Sequence, residues 1–162
     1  MDTLQRIISE AHEHLGELFL LHEECLLERR FGDALTVLQL FQQKHHAHMN
    51  FEDKELLPRY VDMDEPGRWG ARIYQAEHGK IVQLLNNLLE RVVALTQQTE
   101  VSHRDVIELL DQEKTFKNVC EHHELREEEC LLMQLDQHLD GALKNELAAS
   151  FGAIWQSLEV AK

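Results

Sequence analysis

Apolar residues recur every three to four positions along most of this chain, the spacing of one face of an α-helix. Leu4, Ile8, Ala11, Leu15, Leu18 and Leu26 set out a first run that reaches about Arg30 and is interrupted at Gly32. Asp33 offers an N-cap for a second run, with Leu35, Leu38, Phe41, Phe51 and Leu56 on its apolar side and Pro58 as its predicted end. The turn between them is tight, so the two helices are expected to run antiparallel. Val61 to Gly70 carries Asp64, Pro66 and two glycines and reads as a longer connection into a third run, from Ile73 to about Leu95. Ser102 and Asp105 have the spacing of a capping box and open a fourth run, from Val106 to about Leu139. Beyond Asp140 and Gly141 a shorter amphipathic stretch places Leu143, Leu147, Phe151, Ile154, Trp155 and Leu158 on one side. The expected fold is all-α: an antiparallel up-down four-helix bundle over residues 1–139, with a short additional C-terminal helix over 140–162 that packs on the bundle or forms a dimer contact.

Composition supports that reading and removes several functions. Only 7 glycines and 2 prolines in 162 residues suit long helices with short connections. A formal charge of −14 repels phosphate backbones and anionic lipid, so nucleic acid and membrane surfaces are not expected partners. No stretch approaches the roughly 18 to 20 apolar residues of a membrane span, and Met1-Asp2-Thr3-Leu4 does not open a targeting segment, so a cytoplasmic protein, monomeric or homodimeric, is expected. Cys25, Cys120 and Cys130 are odd in number and lack a C-x-x-C pair, which argues against a disulfide framework or a thiolate zinc site.

Histidine is the outlier, with 11 residues. Laying the chain over itself shows why. With His12 placed on His78, Ile7-Ile8 matches Ile73-Tyr74, and Leu15, Leu18 and Phe19 match Ile81, Leu84 and Leu85. With His48 placed on His123, Phe41 matches Phe116, Glu52 matches Glu127, and Leu56-Leu57 matches Leu131-Leu132. Each half thus offers one histidine on its first helix and His-x-x-x-Glu on its second. Residues four apart share a helix face, so each His-x-x-x-Glu presents an imidazole and a carboxylate together. Buried without partners, four imidazoles and two carboxylates would cost several kcal/mol each. A pair of cations supplies the partner, and nitrogen and oxygen donors without thiolate suit iron, manganese or zinc.

These helix-borne motifs, His48-Met-Asn-Phe-Glu52, Glu77-His78 and His123-Glu-Leu-Arg-Glu127 together with the first-helix histidine, resemble the hemerythrin-like, or HHE cation-binding, domain over residues 4–139. The resemblance implies a non-haem centre of two iron ions, oxo- or hydroxo-bridged, ligated by His12, His48, Glu52, His78, His123 and Glu127. It implies a protein that binds a diatomic ligand, oxygen or nitric oxide, for sensing, storage or transport. One departure bears on this: the oxygen carriers of that family have a second histidine four residues after the third-helix ligand, where this chain has Val82. One imidazole fewer argues against a pure oxygen carrier, and an open position leaves room for dioxygen, nitric oxide, peroxide or water, so two further readings stand beside the first. One is an oxidoreductase or metal-centre repair factor drawing electrons from a redox partner protein; the other is an interaction module with a purely structural metal.

Neighbouring residues carry alternatives. His14 also has apolar helical neighbours and competes with His12 as the first-helix ligand, although only His12 shares the offsets of His78. His22 is expected to pack or sit at the rim, His45, His46 and His122 to be solvated or to support the ligands, and His103 and His138 to be surface residues. Asp53 or Glu128 offers an acceptor for a ligand imidazole. Tyr74, one turn before His78, is a candidate supporting donor, and Trp69 and Trp155 read as packing residues.

Overall fold

A computed structural model describes residues 3–63 and 67–160; Asp64 and Pro66 of the predicted connection lie outside the described residues. Among the described residues the chain is all-helical. Five rods follow one another: α1 (Thr3–Leu27); α2 (Phe31–Phe51), continued by a π-helical turn (Glu52–Leu56) and a short α3 (Leu57–Val61); α4 (Ala71–Gln97); α5 (His103–Arg126), continued by a second π-helical turn (Glu127–Leu131) and α6 (Leu132–His138); and α7 (Gly141–Val160).

The rods begin and end for identifiable reasons, three of which differ from the sequence reading. The first turn forms at Arg29 rather than Gly32: Arg29 is in the left-handed region at φ 60°, its amide donates to Leu26 O at 3.0 Å, and that of Arg30 donates to Cys25 O at 2.9 Å. That pairing is the Schellman motif, which satisfies the last carbonyls of α1. Gly32 lies inside α2, whose N-cap is Arg30 without a side-chain cap; Asp33 sits in the first turn and binds the Arg30 guanidinium at 2.9 Å. Pro58 does not stop the second rod, because it occupies the first turn of α3, where the N–H it lacks has no helical partner to lose. The capping box at Ser102 and Asp105 forms with both hydrogen bonds made, at 2.9 and 3.1 Å.

Packing brings α1 against α2, α2 against α4, α4 against α5, and α7 across α1 and α2. Two apolar clusters result. One contains Leu15, Phe19, Leu38, Phe41, Ile81, Leu85 and Phe116; the other contains Ile8, Phe51, Leu56, Tyr60, Tyr74, Leu131 and Phe151. The first four rods therefore pass from one cluster to the other, at Ala11–Leu15, Met49–Phe51, Tyr74–Ile81 and Cys120–Leu131, whereas the buried residues of α7 lie in the second cluster. Every buried His and Glu of the predicted constellation lies within or directly beside one of these crossing points.

Gly67 is required by a close approach. A Cβ there would lie 2.6 Å from Cys130 Sγ and 2.8 Å from Tyr60 Oη, and the Tyr60 hydroxyl is itself held by a hydrogen bond to the Trp69 carbonyl. Gly67→Ala should cost about 1–3 kcal/mol through overpacking. Urea unfolding checks it: a midpoint equal to wild type means that the loop gives way freely.

Candidate metal centre

The layer between the clusters holds His12, His48, Glu52, His78, His123 and Glu127, each at most 6% exposed. His12 comes from α1, His48 from α2, Glu52 and Glu127 from the first positions of the two π-helical turns, His78 from α4 and His123 from α5. They form two four-residue groups: His12, His48, Glu52 and Glu127, and Glu52, His78, His123 and Glu127. Within each group the candidate ligand atoms lie within 4.8 Å of one another, and both carboxylates belong to both groups.

The imidazoles face each other in pairs, His12 Nε2 to His48 Nε2 at 3.0 Å and His78 Nε2 to His123 Nε2 at 3.1 Å. Glu52 reaches across the layer, with Oε1 2.8 Å from His48 Nε2 and Oε2 3.2 Å from His78 Nε2. Glu127 mirrors it, with Oε2 3.1 Å from His12 Nε2 and Oε1 against His123 Nε2.

The outer nitrogens fix the tautomers. His12 Nδ1 lies 3.0 Å from Glu128 Oε1, His78 Nδ1 2.8 Å from Asp53 Oδ1, and His123 Nδ1 2.6 Å from Glu77 Oε2. A carboxylate only accepts, so each of these Nδ1 atoms donates and a neutral ring keeps its lone pair on Nε2. The interior then contains lone pairs of Nε2 and of carboxylate oxygens turned toward each other. In keeping with that, none of the four oxygens of Glu52 and Glu127 has a donor other than these ring nitrogens among the described residues. Only protons or metal cations satisfy such a layer.

Without metal, protons do so. Burial alone would pull His78 down, but Glu127 and Glu52 outweigh it and push the ring up to about 11. His123 is held at about 9 by Glu127 and Glu77 against the same penalty. His12 is raised well above its ordinary value by Glu127 and Glu128, again against burial. The carboxyls of Glu52 and Glu127 are drawn below the usual range by the surrounding imidazoles, although burial and their mutual repulsion oppose this.

The π-helical turns make the crossing contacts possible. The amide of Leu57 reaches back five residues to Glu52 O, and that of Leu132 to Glu127 O. The extra residue per turn lets two successive acidic side chains address one ring: Glu52 and Asp53 take Nε2 and Nδ1 of His78, and Glu127 and Glu128 take Nε2 and Nδ1 of His12. Such turns frequently accompany functional sites.

The remaining sequence expectations divide. His12, not His14, joins the layer; His14 Nε2 lies 2.8 Å from Lys44 Nζ, and its ring packs on Trp155. His46, His103, His122 and His138 are exposed, whereas His45 is not solvated but buried, stacked on Phe41 at 5.3 Å. His22 is not at a rim: it is fully buried, with Nδ1 donating to Ala34 O at 2.8 Å and Nε2 2.5 Å from Glu113 Oε1, an ion pair or shared proton inside the first cluster. Tyr74 supports the layer indirectly, its hydroxyl donating to Arg126 O at 3.2 Å and its ring 6.4 Å from that of His123. Trp155 covers His48 together with Phe151.

The sequence places Glu77 in the Glu77-His78 motif without giving it the role of acceptor for His123, and it does not single out Glu124, whose carboxyl burial raises despite His12 and His48 nearby. The repeat also breaks at one point: Ala11 stands where the other half has Glu77, and His48 Nδ1 has no hydrogen-bond partner among the described residues.

No family model, no curated protein and no solved structure matches this chain. Its chemistry is therefore read from the layer alone. Among the described residues, no helix is long and apolar enough to cross a membrane.

Proposed function

We propose that this chain is a non-haem di-iron protein of the hemerythrin-like kind. In this reading its first four rods form an antiparallel up-down bundle, and His12, His48, Glu52, His78, His123 and Glu127 are the ligands. The carrying observation is that Glu52 and Glu127 each belong to both donor groups while their oxygens have no partner other than the facing ring nitrogens among the described residues. Two carboxylates shared between two pairs of imidazoles suit two cations, since a bridging anion offsets the repulsion between them. Charge supports the same count. Two divalent cations are met by Glu52 and Glu127 inside and by Asp53, Glu77 and Glu128 on the outer ring nitrogens.

Each cation position then has two imidazoles and two shared carboxylates, fewer donors than a six-coordinate iron takes up. The open positions suit a diatomic ligand or peroxide, for sensing, storage or transport. Iron bound there would supply reversible electron donation to such a ligand; the protein keeps the rings of His12, His78 and His123 in one tautomer and covers His48 with Phe151 and Trp155. The half-buried Glu124, whose carboxyl burial raises with His12 and His48 nearby, favours a second reading, an oxidoreductase in which this acid delivers protons while a partner protein supplies electrons.

Metal analysis and the absorption spectrum of chain purified without added metal test the first reading. About two irons per chain with near-ultraviolet and visible charge-transfer bands are expected. Less than one metal per chain, even after iron supplementation, would overturn it. Steady consumption of peroxide or nitric oxide with a reductant would favour the second reading over reversible binding.

A further inference from the structure

A fifth imidazole stands over the layer without belonging to either donor group. His45 lies three residues before His48 on α2, is 3% exposed, and has its ring centroid 6.3 Å from that of His48. Phe41 holds the ring plane by stacking at 27°. The groups acting on it electrostatically are His48, His123, Glu127 and His12. His48 belongs to the first donor group, so the ring stands beside the layer on α2.

Its Nδ1 is buried and has no hydrogen-bond partner among the described residues. An imidazole carries an N–H as well as a lone pair, so this buried Nδ1 is a polar atom beside the layer with nothing in the described fold to bind. A core position with no polar task would hold a leucine or methionine at lower cost, because an unsatisfied buried donor costs about 1–3 kcal/mol. The internal repeat makes the contrast: the matching position in the other half is Cys120, a weak donor.

We infer that His45 is a positioning residue whose Nδ1–H hydrogen-bonds a small monoanion held at the two cation positions, of the class of azide, nitrite, hydroperoxide or hydroxide. This rests on the two-cation reading above. The donor lies inside the protein, so it is dry and oriented before the anion arrives, the condition under which a hydrogen bond to a charged acceptor counts most.

Azide is the probe. The full chain is loaded with ferric iron, its metal content is measured, and azide is titrated against the charge-transfer spectrum in wild type, His45→Leu, His45→Met and His45→Gln. Equal iron content in all four is expected, with azide affinity lowered about ten-fold in the Leu and Met variants and largely restored in Gln, which returns an N–H at similar reach. The apolar pair guards against a folding defect in either one. Unchanged affinity in Leu and Met overturns the inference, and so does an equal loss in Gln, which marks a packing role. Iron-loaded wild type that takes up no azide overturns it alone. Failure of wild type to load iron overturns this inference and the two-cation reading together.

Discussion

Glu127→Ala takes metal loading from about two cations per chain to fewer than one, while the fold persists. The size of the effect follows from the carboxylate's place. Its two oxygens approach imidazoles of α1 and α5, with His78 Nε2 of α4 at 3.6 Å, so one substitution removes a donor from both groups at once. The remaining imidazoles would face one another across a cavity with a single shared carboxylate. That arrangement neither neutralises two divalent cations nor holds them apart. Apolar packing on both sides of the layer, from Leu15 and Phe116 on one and Ile8 and Leu131 on the other, keeps the helices together. His103→Ala, at an exposed position, is the control and leaves metal content unchanged. Equal loss in both variants, or none in Glu127→Ala, contradicts the shared-carboxylate arrangement. Elemental analysis with circular dichroism reads both quantities.

The second large effect is in the metal-free chain, whose stability falls as the solution becomes alkaline. His78 at about 11 and His123 at about 9 both lie above the ordinary 6.5 that they recover on unfolding. Groups raised in this way add stability that is fully present below 6.5 and is lost as pH climbs through about 9 and then about 11. Glu52 and Glu127 are depressed and act at the other end: their contribution is present above 4.5 and is lost as pH falls through their lowered values. These four groups together contribute most to the metal-free chain between about pH 4.5 and 6.5, and their loss makes it melt progressively earlier above that. Cations displace the imidazole protons, so loading releases protons and removes the alkaline decline. Thermal melting from pH 5 to 10, with and without a chelator, makes the comparison. Parallel curves for the two forms would show that protons and metal do not share these side chains.

Much of this was legible in one dimension because helices write their faces locally. The apolar period located the rods, and the matched offsets around His12 and His78 and around His48 and His123 picked out six side chains that the fold does bring together. Asp53 and Glu128 were legible as acceptors for the same reason, being next in line to Glu52 and Glu127. Arg29 was not, since a left-handed residue without glycine is stabilised by its two backbone hydrogen bonds and by an arginine side chain that reaches the Val101 carbonyl, a contact across the fold. The continuation past Pro58 was hidden by the π-helical turn before it, whose residues have ordinary helical preferences. His22 reads as one more helical histidine until Glu113, 91 positions away, is packed against it.

The sequence by itself determined that the chain is helical, which residues share a face, and that two halves carry the same pattern of imidazole and carboxylate. Only the tertiary structure decided which carboxylate meets which ring. Those pairs join residues 25 positions apart at Asp53 and His78 and 116 apart at His12 and Glu128. A helical period correlates residues three or four apart and carries no information over such distances. The partners are chosen by how the apolar clusters on either side of the layer pack, and that packing is a property of all the rods at once.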